Sequence, residues 1–290
     1  MLLNNQLYII LLNVVILLYS CSYNSPDKKG NVHINRKALV QRHIPTLTGA
    51  DSLSPFTVGN GEFAYTVDIT GLQTFAGFYE NGIPLGTQSQ WGWHTISNPD
   101  NYTLDQTFNF YDTYGRQVSY ASNQNCEAAQ WLRANPHRLH LGRIGFKIIK
   151  SDSSEIKISD ITDIDQSADI WEGIIISSFS IENNKIFVET CCHPAIDQIG
   201  VIVRSKLLQK GRINIAFDFP YGSLSWGKNT TDWESPQKHS SDIIFRNDKS
   251  VVIERKLDSD RYYVHIQWNG DAEFKCIAGH SFVLAISNKN

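Results

Sequence analysis

From residue 146 to residue 286 the chain repeats one pattern: four to nine residues with apolar and polar positions in alternation, then a short cluster of Gly, Asn, Asp or Ser. Alternation is the period of a half-buried strand, because successive side chains point to opposite faces. It predicts strands at 146–149, 173–181, 186–192, 199–204, 213–219, 242–245, 251–255, 262–268, 273–277 and 282–286, with Asn183-Asn184 as a hairpin turn. Nearer the N-terminus, Phe63, Tyr65 and Val67 alternate within 62–68, behind a tight turn at Gly59-Asn60-Gly61. Asn81-Gly82, set between apolar Tyr79 and Ile83, is a second hairpin signal. Short strands at 107–111 and 116–120 flank Asp112-Thr113-Tyr114-Gly115. Only 127–134 has helical character, and Pro136 stops it by disfavouring helical geometry in Asn135. Strands that follow one another without helices between them predict an all-β fold, a large antiparallel sandwich with one short helix.

The first residues follow a different pattern. Residues 7–18 are almost wholly apolar, yet short of the ~20 needed to cross a bilayer. They lead into Leu18-Tyr19-Ser20-Cys21, which resembles the lipobox of bacterial lipoproteins, although the preceding residues lack Lys and Arg and Tyr19 is bulky. The expected organisation is a lipoprotein-type signal peptide over 1–21 with Cys21 as the lipidated residue, a polar tether over 22–41, and one β domain over 42–290. Export to the periplasm or an outer-membrane anchorage follows from it, with the lipid as the sole membrane contact. An ordinary cleaved signal peptide, with Cys21 incidental, is the alternative.

A formal charge of -3 with no Lys/Arg run gives no footprint for nucleic acid. Beyond Cys21 the cysteines are Cys126, Cys191, Cys192 and Cys276. Cys191 and Cys192 would face opposite ways on a strand, so no disulfide pairing follows and free thiols are as well supported. Neither Cys191-Cys192-His193 nor His137 with His140 has a second ligand pair, so no metal and no cofactor is expected. The chain has no Gly-x-Ser-x-Gly elbow, phosphate loop or dinucleotide fingerprint. Glu62, Asp68, Glu80, Glu172, Asp232 and Glu234 are candidate carboxylates, but sequence spacing pairs none of them across a glycosidic bond.

Candidate binding residues gather in two places. In an extended Trp91-Gly92-Trp93-His94 the two indoles share one face and Gly92 leaves the backbone open on the other, a platform for a flat amphipathic ligand. His94, Gln73 and Asn60 are placed to bond the edge of such a ligand. The alternating run 135–145 adds His137 and Arg138, whereas His140 is expected to satisfy buried backbone groups.

Four pieces, SLSPFTVGNGEFAYTVDITGLQTF at 52–75, WGWH at 91–94, NPHRLHLGRIGF at 135–146 and DFPYGS at 218–223, together resemble the N-terminal domain of bacterial proteins in the six-hairpin glycosidase group. That group is similar in plan to glycoside hydrolase family sixty-five and maltose phosphorylase. The resemblance runs from about Arg42 to the C-terminus. It implies a β-supersandwich of galactose-mutarotase-like type, followed in the family by an α/α toroid that holds the catalytic acid. Residues up to Asn290 offer no series of amphipathic helices from which to build the toroid, so no catalytic residue is carried over and the chain by itself is not expected to be an enzyme. The function implied is a non-catalytic domain of a glycoside hydrolase-like protein, in an accessory role or binding an oligosaccharide or glycoside. The alternative is one half of a split hydrolase or phosphorylase whose toroid partner is encoded separately.

The lipobox reading makes Cys21→Ala release the protein from the membrane fraction of its native host. A wild-type protein already soluble and free of an acyl chain contradicts that reading.

Overall fold

The computed structural model describes residues 34–225 and 231–286. The expected signal peptide, with Cys21, lies outside the described residues. The chain divides after Arg42. Ahead of the division, part of the expected tether is a helix, Arg36–Gln41. Its cause is local: Asn35 caps it by accepting the Ala38 N–H at 3.0 Å, and Arg-Lys-Ala-Leu-Val-Gln contains no helix breaker.

From His43 onward the fold is all-β, and every strand pair is antiparallel. A five-stranded sheet runs in the order Thr46–Leu47, Thr162–Asp169, Ile174–Ile181, Asn184–Cys192, Ile199–Ser205. A four-stranded sheet orders Ala272–Ala278, Ser281–Ile286, Ile213–Asp218 and Arg143–Ile148. Apolar side chains from both sheets fill one core: Ile175, Phe179, Ile186 and Val188 from the first meet Phe146, Ile148 and Ile213 from the second. A second core joins Phe217, Phe274 and Phe282 to Val251 and Ile253 of a three-stranded sheet, His239–Arg246, Ser250–Leu257 and Asp260–Gln267. Ile144, Ile215 and Val264 touch both cores.

Three departures from the sequence expectations have plain causes. Asn81-Gly82 closes no hairpin; it follows the helix Ala76–Tyr79, with Gly82 N–H donating to Tyr79 O at 3.0 Å, and Ile83 N–H is drawn to Ser52 O at 2.8 Å. Instead of one helix there are four α-helical segments among the described residues, and two of them, Ala76–Tyr79 and Lys206–Gln209, are single turns too short to have a period. Thr162–Asp169, a central strand, was not expected because TDIDQSAD has no apolar alternation. Its inward residue is Gln166, fully buried, which donates to Asp68 O and Ser177 Oγ, both at 2.8 Å.

Asp68 anchors the loop that follows Phe63–Val67. Thr70 N–H and Phe75 N–H, both at 2.7 Å, and the Thr70 hydroxyl all donate to its carboxyl group. Burial overrides these donors and raises its pKa to about 6. The turn before that strand is built as expected: Gly61 has φ +95°, and Asn60 Oδ1 accepts from Glu62 N–H and Phe63 N–H.

Candidate functional site

The Trp91–His94 segment is not extended throughout as expected: Gly92 N–H donates to Ser89 O at 3.0 Å and Trp93 N–H to Trp91 O at 2.8 Å, so Trp91 lies in a turn and only Trp93–His94 is strand. Trp93 and His94 pair with Arg138 and His137, and Leu139 N–H donates to Gly92 O at 2.9 Å. Trp91 and Trp93 are 47% and 45% exposed, while Gly92 and His94 are buried. Each indole is fixed through its ring nitrogen. Trp91 Nε1–H donates to Asp197 Oδ2 at 2.6 Å, an oxygen that also takes the Ser89 hydroxyl at 2.6 Å. Trp93 Nε1–H donates to Gln90 O at 3.1 Å, and the Arg138 guanidinium lies 4.1 Å over its ring while donating to Ser89 O and Gln90 O.

Three residues expected at a ligand's edge are engaged by other parts of the protein. Asn60 uses both ends of its amide, the oxygen for its own turn and the nitrogen for His193 O and Ile196 O, at 3.2 Å each. It thereby fastens the 59–61 turn to the loop that carries Asp197. Gln73 is buried, donating to Thr66 O and accepting from Ile144 N–H. His94 has no exposed surface, and Gly92 is backed by Leu139 rather than open. The sequence signal failed for one reason: polar residues beside a Trp pair are as useful for holding that pair as for touching what binds it. Trp91, Trp93 and Arg138 remain at the surface.

His94, itself buried, belongs to a chain of hydrogen bonds in which His137 is half-buried and Asp258 exposed. His137 Nδ1 faces Ala134 O at 3.0 Å, His137 Nε2 faces His94 Nδ1 at 3.0 Å, and His94 Nε2 faces Asp258 Oδ2 at 3.0 Å, which also accepts the Tyr221 hydroxyl at 2.5 Å. A carbonyl and a carboxylate only accept, so each ends the chain with an N–H, and the central His–His bond needs a third proton. Burial, followed by the adjacent His94, lowers the His137 pKa. Gly222 seals the chain: a Cβ there would stand 2.5 Å from His94 Nδ1 and 2.6 Å from His137 Nε2. This web supports the back of the Trp91–His94 segment.

A second web surrounds Arg255, which is fully buried. Its Nη1 donates to Ser240 O at 2.7 Å and to the Ser241 hydroxyl, its Nη2 to Pro220 O at 2.9 Å and His239 Nδ1 at 2.7 Å, and its Nε to Tyr262 Oη at 3.4 Å. Because the guanidinium only donates, His239 Nδ1 must be an acceptor, and the ring is a neutral tautomer with its proton on Nε2. Burial and Arg255 together bring the His239 pKa down to about 3. His280 stacks on it at 3.7 Å and is fixed in the same tautomer, Nε2–H donating to Pro236 O at 2.8 Å. None of Arg255, His239, His280, Tyr221 or Asp258 was singled out from the sequence. Period two did contain a signal: Arg255 falls in register with Val251, Ile253 and Leu257, a charge in line with core residues.

Cys126, Cys191, Cys192 and Cys276 are all free thiols, and no group of metal-ligating side chains occurs among the described residues. No known protein family and no curated protein matches the sequence. Among solved structures, a chain from the human microbiome assigned as a kojibiose phosphorylase is similar with a TM-score of 0.44 and 11% identity, over 79% of this chain and 27% of that one. This chain thus spans about a quarter of that protein's length, and that protein's activity is not carried over to it.

His140 gives the site its clearest pH dependence. It is buried, donates from Nε2 to Leu85 O at 3.2 Å and accepts Gly142 N–H at 3.1 Å, and burial lowers its pKa from 6.5 to about 4. A lowered histidine pKa adds stability above the unfolded value and loses it as pH falls. Asp68 works in the opposite sense, stabilising as pH falls through about 6, so a comparison with His140→Gln isolates the histidine. The wild-type advantage in urea unfolding free energy is expected to shrink by roughly 3 kcal/mol between about pH 7 and about pH 4. An advantage independent of pH refutes the assignment.

Proposed function

We propose that this chain is a non-catalytic domain of a glycoside hydrolase-related protein, and that its outer Trp91–Trp93 face binds an oligosaccharide or glycoside. The observation that carries the reading is a pair of indoles two residues apart, each half exposed and each immobilised through its own ring nitrogen. An indole already fixed in place loses little freedom when a sugar ring stacks on it, and its flat apolar face matches the C–H face of a pyranose. Arg138, beside Trp93, adds donors at the edge. The resemblance of the 52–75, 91–94, 135–146 and 218–223 pieces to the N-terminal domain of six-hairpin glycosidases supports the class of ligand, and with it the supersandwich assignment of the all-β fold.

A second reading, a domain that packs against a separately encoded toroid, draws support from the strand His239–Arg246. It lies at a sheet edge, and Ile243, Ile244 and Phe245 are exposed in succession. The two readings are compatible, since a domain docked on a toroid still offers loops to its cleft.

Titrating a panel of α- and β-linked oligosaccharides against intrinsic fluorescence tests the first reading. At least one is expected to change the signal saturably, and Trp91→Ala and Trp93→Ala each to weaken it about tenfold or more, with no turnover of any member. If no sugar alters the fluorescence, or if a carboxylate-dependent cleavage is found, the proposal is wrong.

A further inference from the structure

The Arg255 web ends at a pocket that shares no residue with the Trp91–Trp93 face. Its volume is about 180 Å³. Sites for drug-sized ligands run to ~300–1,000 Å³, whereas a cavity of ~150 Å³ holds one benzene ring, so this pocket is sized for a single six-membered ring. Phe219, Trp233 and Pro236 form its apolar wall, and Asp232, His239 and Ser281 supply its polar groups.

Those polar groups have fixed roles. His239 Nδ1 is occupied by Arg255, so Nε2–H is a permanent donor, and the hydrogen bond from a guanidinium strengthens it by drawing electron density from the ring. No partner for that N–H is present among the described residues. One carboxylate oxygen of Asp232 accepts Glu234 N–H at 2.9 Å, which leaves the other free to accept. Ser281 can do either. A cation in the pocket would meet an N–H that cannot accept, with a buried guanidinium behind it. An anion would meet Asp232. A neutral molecule whose groups both donate and accept meets neither penalty, and hydroxyls on neighbouring ring carbons have that property.

We propose that this pocket binds one polyhydroxylated six-membered ring, a hexopyranose or a cyclitol, with one hydroxyl accepting from His239 Nε2–H and an adjacent one donating to Asp232. The low His239 pKa agrees with this, since the ring stays a neutral donor across the physiological range. The assignment goes beyond the outer-face reading and does not depend on it.

The test is a nuclear magnetic resonance titration of ¹⁵N-labelled full chain with D-glucose, D-galactose, D-mannose, myo-inositol and the methyl glycosides of the three hexoses. The Trp233 indole N–H reports the pocket, and those of Trp91 and Trp93 report the outer face. At least one ring is expected to shift the Trp233 signal saturably; response to the methyl glycosides alone assigns the pocket to the terminal ring of a glycoside. Asp232→Asn and Ser281→Ala, both away from Arg255, are each expected to weaken that response about tenfold. Replacing His239 would strand an Arg255 donor and endanger the fold, so it is not the variant to use. If no ring moves the Trp233 signal, if shifts are confined to Trp91 and Trp93, or if both variants fold and bind as wild type, the pocket proposal is overturned. The second of these outcomes leaves the outer-face reading intact.

Discussion

A guanidinium with no exposed surface is expensive to bury, and everything near the candidate sites is arranged to meet that cost. Arg255 reaches six acceptors, none of them a carboxylate: two backbone carbonyls, a serine and a tyrosine hydroxyl, and two imidazole nitrogens. An ion pair would set one attraction against the desolvation of two charges. Here a single charge is desolvated and its solvation shell is replaced by fixed dipoles, which must all be in place together. Those acceptors come from the end of the four-stranded sheet, at Pro220 and His280, the edge strand His239–Arg246 and the strand Asp260–Gln267, so satisfying Arg255 fixes three segments that apolar contacts alone would let slide.

Both proposed recognition surfaces depend on that arrangement. On one side His239 is held in a single tautomer and stacked on His280, which gives the pocket its donor. On the other side the Tyr262 hydroxyl, while accepting from Arg255, donates to Leu141 O at 2.9 Å, and its ring lies 6.0 Å from that of Trp91. The Trp91–His94 segment is also braced from behind by the His94–Asp258–Tyr221 chain, against which Gly222 must remain without a Cβ. Rigid aromatic surfaces carried on strands and pinned by buried polar groups are suited to binding flat, weakly held ligands, because little order is left to impose at the moment of binding.

The periodicity of the chain predicts most strands of the second half to within a few residues, because there one face of each strand is apolar: Ile186 and Val188 enter the core where Lys185 and Phe187 do not. It loses Thr162–Asp169, whose central inward residue is a glutamine bonded to Asp68 O, and it loses Thr87–Ser89, three residues with no apolar side chain. The hairpin turn expected at Asn183-Asn184 is centred one residue earlier, where Glu182 and Asn183 both have positive φ. Of the site, the exposure of Trp91 and Trp93 was legible, although it arises through a turn at Trp91, closed by Trp93 N–H on Trp91 O, and not through the two-residue repeat. The roles of Asn60, Gln73 and His94 were not, since a polar side chain's partner lies tens or hundreds of residues away: Asn60 reaches His193, and His94 reaches Asp258. The Arg255 web combines both conditions, visible as a charge in core register but unreadable as to what surrounds it.

The claim that this web is the support common to both surfaces is tested most directly by the unfolding free energy of Arg255→Met. Methionine fills the space and removes the buried charge, a change that is often neutral when the charge had been held by another charge. Here it would leave Ser240 O and Pro220 O, backbone groups no substitution can remove, without their donors. The expected result is a loss of at least about 3 kcal/mol. A variant within about 0.5 kcal/mol of wild type would contradict the account.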